Sequence, residues 1–108
     1  MRIVIAFDVD GTLECGAPKG NIKLSTLLEL KKRGFIVGIV GNYLRVPKEI
    51  LQKLDFCYGT HPFKAIYLRK IKSDYKADLV IYVADDELDR RACLVAKVIY
   101  VHPQFFNI

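Results

Sequence analysis

Apolar residues along this chain fall in short, nearly unbroken runs separated by amphipathic stretches. Residues 2–7 ("RIVIAF"), 35–40 ("FIVGIV") and 78–84 ("DLVIYVA") are almost wholly apolar. Runs of this length without polar alternation predict strands buried on both faces, as in parallel sheets. Two shorter runs, 56–58 ("FCY") and 98–101 ("VIYV"), predict two more strands. Between the first two lies "NIKLSTLLELKKRG", where Leu24, Leu27 and Leu28 share one helical face. Lys31 to Arg33 fill its last turn and Gly34 closes it. Pro47 is expected to start a short helix through Leu54, Pro62 a longer one through about Asp74, and residues 88–96 a further short one. Strand and helix alternate throughout. This predicts an α/β fold: a Rossmann-like parallel sheet of about five strands with helices on both faces.

Length adds one constraint. A chain of 108 residues, 52% hydrophobic, is read as a single domain over 1–108 with core enough to fold without staples. No apolar run approaches the roughly 20 residues of a membrane span, and the stretch between Arg2 and Asp8 is short for a signal peptide. The three cysteines, Cys15, Cys57 and Cys93, are far apart and form no CxxC pair. A reduced, cytoplasmic protein is expected. The net charge of +5 is compatible with an anionic partner. Arg69, Lys72 and Lys76 share one helical side, but no aromatic-interleaved or RNA-binding motif accompanies them. A solvated face is the simpler account, and nucleic acid is not favoured.

Chemistry gathers at strand ends. In such sheets sites form beyond the carboxyl ends of the strands. Asp8, Gly41-Asn42 and Asp85 all occupy such ends, and would meet if strands one, two and four are neighbours. "DVDGT" (8–12) reads in two ways. It is an acidic turn, with Asp10-Gly11 as a favourable turn pair. Alternatively, Asp8 or Asp10 attacks a phosphoryl group and the other protonates the leaving group, then activates water. Gly11 would let the chain turn sharply and expose its amides, and with Thr12 is assigned to phosphate binding. "ADDELD" (84–89) likewise reads as helix capping by Asp85 or Asp86, with Glu87 and Asp89 favoured by the helix dipole. Yet Asp85, Asp86 and Asp89 add three carboxylates near the first two. Oxygen ligands without His or Cys suit a hard cation, Mg²⁺ above all. Lys64, opening the helix before the fourth strand, could supply a positive charge to nucleophile and phosphate. With 17 Lys and Arg in the chain, a solvated lysine is the alternative.

On these residues the chain resembles the haloacid dehalogenase-like (HAD) hydrolase superfamily. "DVDGT" matches the family's first motif, DxDGT. "VADDELD" resembles its fourth, with DxxxD spacing from Asp85 to Asp89. Lys64 lies twenty-one positions before Asp85, like the third-motif lysine. The resemblance spans essentially the whole chain. It implies a Mg²⁺-dependent phosphatase working through an aspartyl-phosphate. Asp8 would be nucleophile and metal ligand. Asp10 would be general acid/base, its carbonyl a metal ligand. Asp85 would complete the ligand set, with Asp86 and Asp89 acting directly or through water. The family's second motif, a Thr or Ser, is replaced by Gly41, followed by Asn42. The resemblance then leaves the amides of Gly41 and Asn42, or the Asn42 side chain, to bind phosphate. No room remains for a cap domain. The acid pair is similar to the fourth motif of the 3-deoxy-manno-octulosonate 8-phosphate phosphatase group, capless and tetrameric, which implies a homo-oligomer. Two other readings stay open: a catalytically weak phospholigand-binding or interaction module, and a nucleic-acid end-processing phosphatase. Phe105, Phe106 and Ile108 either fold back on the core or form a subunit contact.

Overall fold

The computed structural model describes residues 1–59 and 64–107. Five strands, β1 (Ile3–Phe7), β2 (Ile36–Val40), β3 (Phe56–Tyr58), β4 (Leu79–Val83) and β5 (Ile99–Val101), form one sheet in the order β3-β2-β1-β4-β5. Every pairing is parallel. Four helices connect them: α1 (Leu24–Lys32), α2 (Lys48–Leu51), α3 (Lys64–Asp74) and α4 (Glu87–Ala96), with single 3₁₀ turns at Tyr43–Arg45 and Pro103–Phe105. No helix among the described residues is long and apolar enough to cross a membrane.

The unbroken apolar strands are explained by two cores, one on each face of the sheet. Val4, Ala6, Val80, Tyr82 and Ala84 pack toward Leu68 and Ile71 of α3 and Cys93 and Ala96 of α4. Ile5, Phe7, Val37, Ile39 and Val83 pack toward Leu27 and Leu30 of α1. Successive strand residues point to opposite faces, so a strand covered on both sides has no polar face to show. Leu27 is buried as expected, but Leu30 is its buried companion, while Leu24 and Leu28 lie at the margin.

Element ends differ from expectation for local reasons. The first helix starts at Leu24 rather than near Asn21, because Ile22 bridges Leu13 and Lys23 is extended. Glu14 then accepts a hydrogen bond from the Leu24 N–H at 2.6 Å, satisfying one orphan amide of the helix start. Pro47 precedes α2 rather than opening it, and that helix stops at Leu51, not Leu54. The expected helix start at Pro62 lies outside the described residues. Of the tail, Phe106 folds back edge-on against Phe7, with ring centres 5.5 Å apart. Phe105 is exposed, and Ile108 is outside the described residues. Arg69 donates to the Val95 carbonyl at 3.0 Å, and Lys76 lies beyond the end of α3 in the left-handed region.

Topology sets the crevice. From β1 the chain runs to α1 on one face, and from β4 to α4 on the other. Adjacent strands with helices on opposite faces leave a cleft beyond their carboxyl ends. Phe7 pairs with Val83 and Ile39 in the last registers of the central strands. Asp8, Gly41 and Asp85 therefore emerge at the same rim.

Candidate active site

Asp8 continues the ladder of β1, its N–H donating to the Val83 carbonyl at 2.9 Å. The residue is only 7% exposed. Lys64, first residue of α3, donates to Asp8 Oδ1 at 3.1 Å and to the Tyr82 hydroxyl at 3.0 Å. The same ammonium lies 2.9 Å from Asp89 Oδ1. Its three protons thus have three oxygen partners. Tyr82 in turn donates to the Val40 carbonyl at 2.6 Å, which fixes the hydroxyl as acceptor toward Lys64. Asp89, on the first turn of α4, is buried.

Three of the predicted acids converge. Asp8, Asp85 and Asp89 each offer an oxygen within 4.8 Å of the others. Gly11 makes this possible: at φ +77°, a Cβ on it would lie 2.0 Å from Asp85 Oδ2. Asp86 stays outside the cluster. Its Oδ1 accepts from the Leu88 N–H at 2.9 Å, capping α4. Asp10 also stays outside. Its Oδ1 lies 3.0 Å from Arg45 Nε and accepts from the Ala17 N–H at 3.0 Å.

The charges explain the protonation pattern. Burial pushes the Asp8 carboxyl up from 3.8 to about 6; Lys64 opposes this, and Asp89 adds to it. Burial alone would lower Lys64, but Asp8 and Asp89 outweigh it and hold the ammonium above its usual range. Three carboxylates facing one ammonium leave an excess of two negative charges when all are ionised. An oxygen-only donor set with that excess fits a hard divalent cation. Deeper in the core on this same face of the sheet, burial drives the Cys93 thiol up to about 12, so it is an inert core group.

The phosphate-binding assignments fare differently. The Gly41 N–H donates to the Tyr58 carbonyl at 2.9 Å, as a continuation of β2–β3 pairing. The Gly11 N–H donates to Pro18 at 2.7 Å and the Thr12 N–H to Val9 at 3.1 Å. These amides serve the loop's own turns. Thr12 is fully buried, and its hydroxyl has no hydrogen-bond partner among the described residues. Asn42, directly after Gly41, is half-buried, with no capping bond from its side chain. Gly41 fits closely: a Cβ there would stand 2.4 Å from Asp8 Oδ1, so any side chain would oblige that carboxylate to shift. The space that a side chain would fill is taken by the Asp8 carboxylate itself.

Sequence reading missed two residues. Tyr82 hides in an apolar strand. Its one signal is that a buried tyrosine hydroxyl needs a partner. Arg45 carries no spacing signal, because its contact with Asp10 joins two separate loops.

No protein-family model matches this chain, and no curated protein matches it in sequence. Among solved structures it is similar to the core domain of "a putative phosphoglycolate phosphatase" from Streptococcus pneumoniae, determined by NMR. The TM-score is 0.70 at 16% identity, covering 99% of this chain and 82% of that one. The likeness extends over the whole sheet and its helices and establishes the fold: a five-stranded parallel α/β core with both faces covered.

Proposed function

We propose that this chain is a phosphatase of the HAD type, hydrolysing phosphomonoesters through an aspartyl-phosphate on Asp8. The observation that carries the reading is the Asp8 carboxylate, fixed by Lys64 and ringed by Asp85 and Asp89 at the switch-point rim. Asp8, Asp85 and Asp89 would hold Mg²⁺, which when bound offsets their charge and that of the phosphate. Asp8 attacks phosphorus, and the bond to the leaving oxygen breaks. Asp10 gives that oxygen its proton, then takes one from the water that cleaves the acyl phosphate. Lys64 holds Asp8 in place and offers positive charge to the transferring group. The crevice has no covering domain among the described residues, so ester and water approach directly.

The test is hydrolysis of an aryl phosphate, with Mg²⁺ and with chelator, by wild type and Asp8→Asn. Mg²⁺-dependent turnover by wild type, absent in Asp8→Asn, is the expected result. The structural neighbour's name makes phosphoglycolate the first physiological ester to try. Gly41, which has no hydroxyl and an N–H already bonded to Tyr58, favours a second reading, a phospholigand-binding module of low turnover. Equal background rates in wild type and Asp8→Asn, together with phosphate-analogue binding, would select that module.

A further inference from the structure

Asp10 projects into a half-open position: its side chain is 36% exposed. An exposed carboxylate ordinarily samples several rotamers. Here two donors from different places meet on one of its oxygens. Arg45 Nε, from the turn after β2, and the Ala17 N–H, from the loop after β1, both lie 3.0 Å from Oδ1. No described residue bonds to Oδ2. Among the described residues, the carboxylate is therefore anchored through one oxygen only. The Arg45 side chain is itself 44% exposed, with no further ion pair among the described residues.

We propose that Arg45 is a positioning residue for the reaction read above: it orients Asp10 so that Oδ2 is the oxygen that delivers the proton. The inference rests on the phosphatase reading. As the bond from Asp8 to phosphorus forms and the bond to the leaving oxygen breaks, the proton on Oδ2 passes to that oxygen. Arg45 stays charged and bonded to Oδ1 throughout. The Ala17 amide alone gives one contact about which the carboxylate can swing. The guanidinium's fixed plane supplies the second.

Leaving-group dependence separates this role from a structural one. An alkyl phosphate needs its leaving oxygen protonated, whereas 4-nitrophenyl phosphate does not. The parameter to compare is kcat/KM, which reports the steps through phosphoryl transfer and excludes later hydrolysis of the intermediate. In Arg45→Ala, kcat/KM for glycerol 2-phosphate is expected to fall about 10- to 100-fold, within the range that general acids contribute. For 4-nitrophenyl phosphate it should change little. Arg45→Lys, which keeps a charged donor for Oδ1 but on a flexible stem, should restore only part of the loss. With Asp10→Asn already in place, Arg45→Ala should have no further effect. The thermal midpoint should stay near the wild-type value, because an exposed ion pair carries little stability. Equal losses on both esters, or additive losses in the double variant, would overturn the proposal. A loss carried by KM alone on both esters, with kcat unchanged, would overturn it in favour of a substrate clamp. Wild-type failure on both esters would instead sink the phosphatase reading, and this inference with it.

Discussion

Asp8 is held where its charge is unwelcome. It is buried at the end of a strand, faces Asp89, and has one ammonium to share with it. Its pKa of about 6, against 3.8 for a free aspartate, has a consequence for stability. The folded state binds this proton more tightly than the unfolded chain does. Stability from this site is therefore greatest below about pH 4, declines as pH rises from 4 to 6, and stays level above. The span is on the order of 3 kcal/mol at most. Asparagine has no such proton. In chelator, Asp8→Asn should be at least as stable as wild type at pH 7. The difference between their unfolding free energies should shrink toward pH 4, as read by urea denaturation at several pH values. A buried acid that lowers stability is what a functional site looks like. Wild type and Asp8→Asn tracking together across this range would show that Asp8 is not ionised against a cost. Lys64 makes the position tenable, and in Asp8→Asn it keeps Asp89 as a partner at 2.9 Å, so its own buried charge stays compensated.

The start of α4 divides the two roles that "ADDELD" admits. Asp86 caps the helix, Asp85 and Asp89 face the crevice, and Glu87 pairs with Arg90 at 2.6 Å. Asp86→Ala should therefore cost about 1 kcal/mol of stability while leaving the proposed phosphatase turnover within a few-fold of wild type. Thermal melts and steady-state rates check both halves, and a large loss of turnover would return Asp86 to the proposed metal site. At this scale the sequence was informative because its periodicities are short-range. Apolar runs marked all five strands, and the glycine after α1 marked its end. What it could not place was the split among adjacent acids. Which of Asp85 and Asp86 caps depends on the backbone angle where β4 meets α4, and nothing in residue type decides that. The start of α1 was misplaced for a similar reason: its first amide is satisfied by Glu14, ten positions away in the preceding loop.

Across the whole molecule, sheet order turns scattered motifs into a site. Asp8, Gly41 and Asp85 could meet only if β1 lies between β2 and β4, and the order β3-β2-β1-β4-β5 puts it there. Their meeting was legible as a condition on the topology. Contacts between loops were not, which is why Arg45 on Asp10 and Tyr82 beneath Lys64 emerge only in three dimensions. The assembled rim carries three carboxylates and one ammonium within a few ångströms, and this imbalance is itself testable without catalysis. A divalent cation binding the folded form alone stabilises it by mass action. At ten times its dissociation constant, Mg²⁺ should add roughly 1.4 kcal/mol, or about 5–10 °C in thermal midpoint for a domain of this size. Na⁺ at equal ionic strength should not. Asp85 is exposed and forms no ion pair among the described residues, so Asp85→Asn should match wild type in chelator to within about 0.5 kcal/mol. In Mg²⁺ it should lose the rise. A wild-type rise that Asp85→Asn shares would move the cation away from this rim. No rise in either protein would mean that Lys64 alone balances the acids, and that the fold does not need a metal to hold them together.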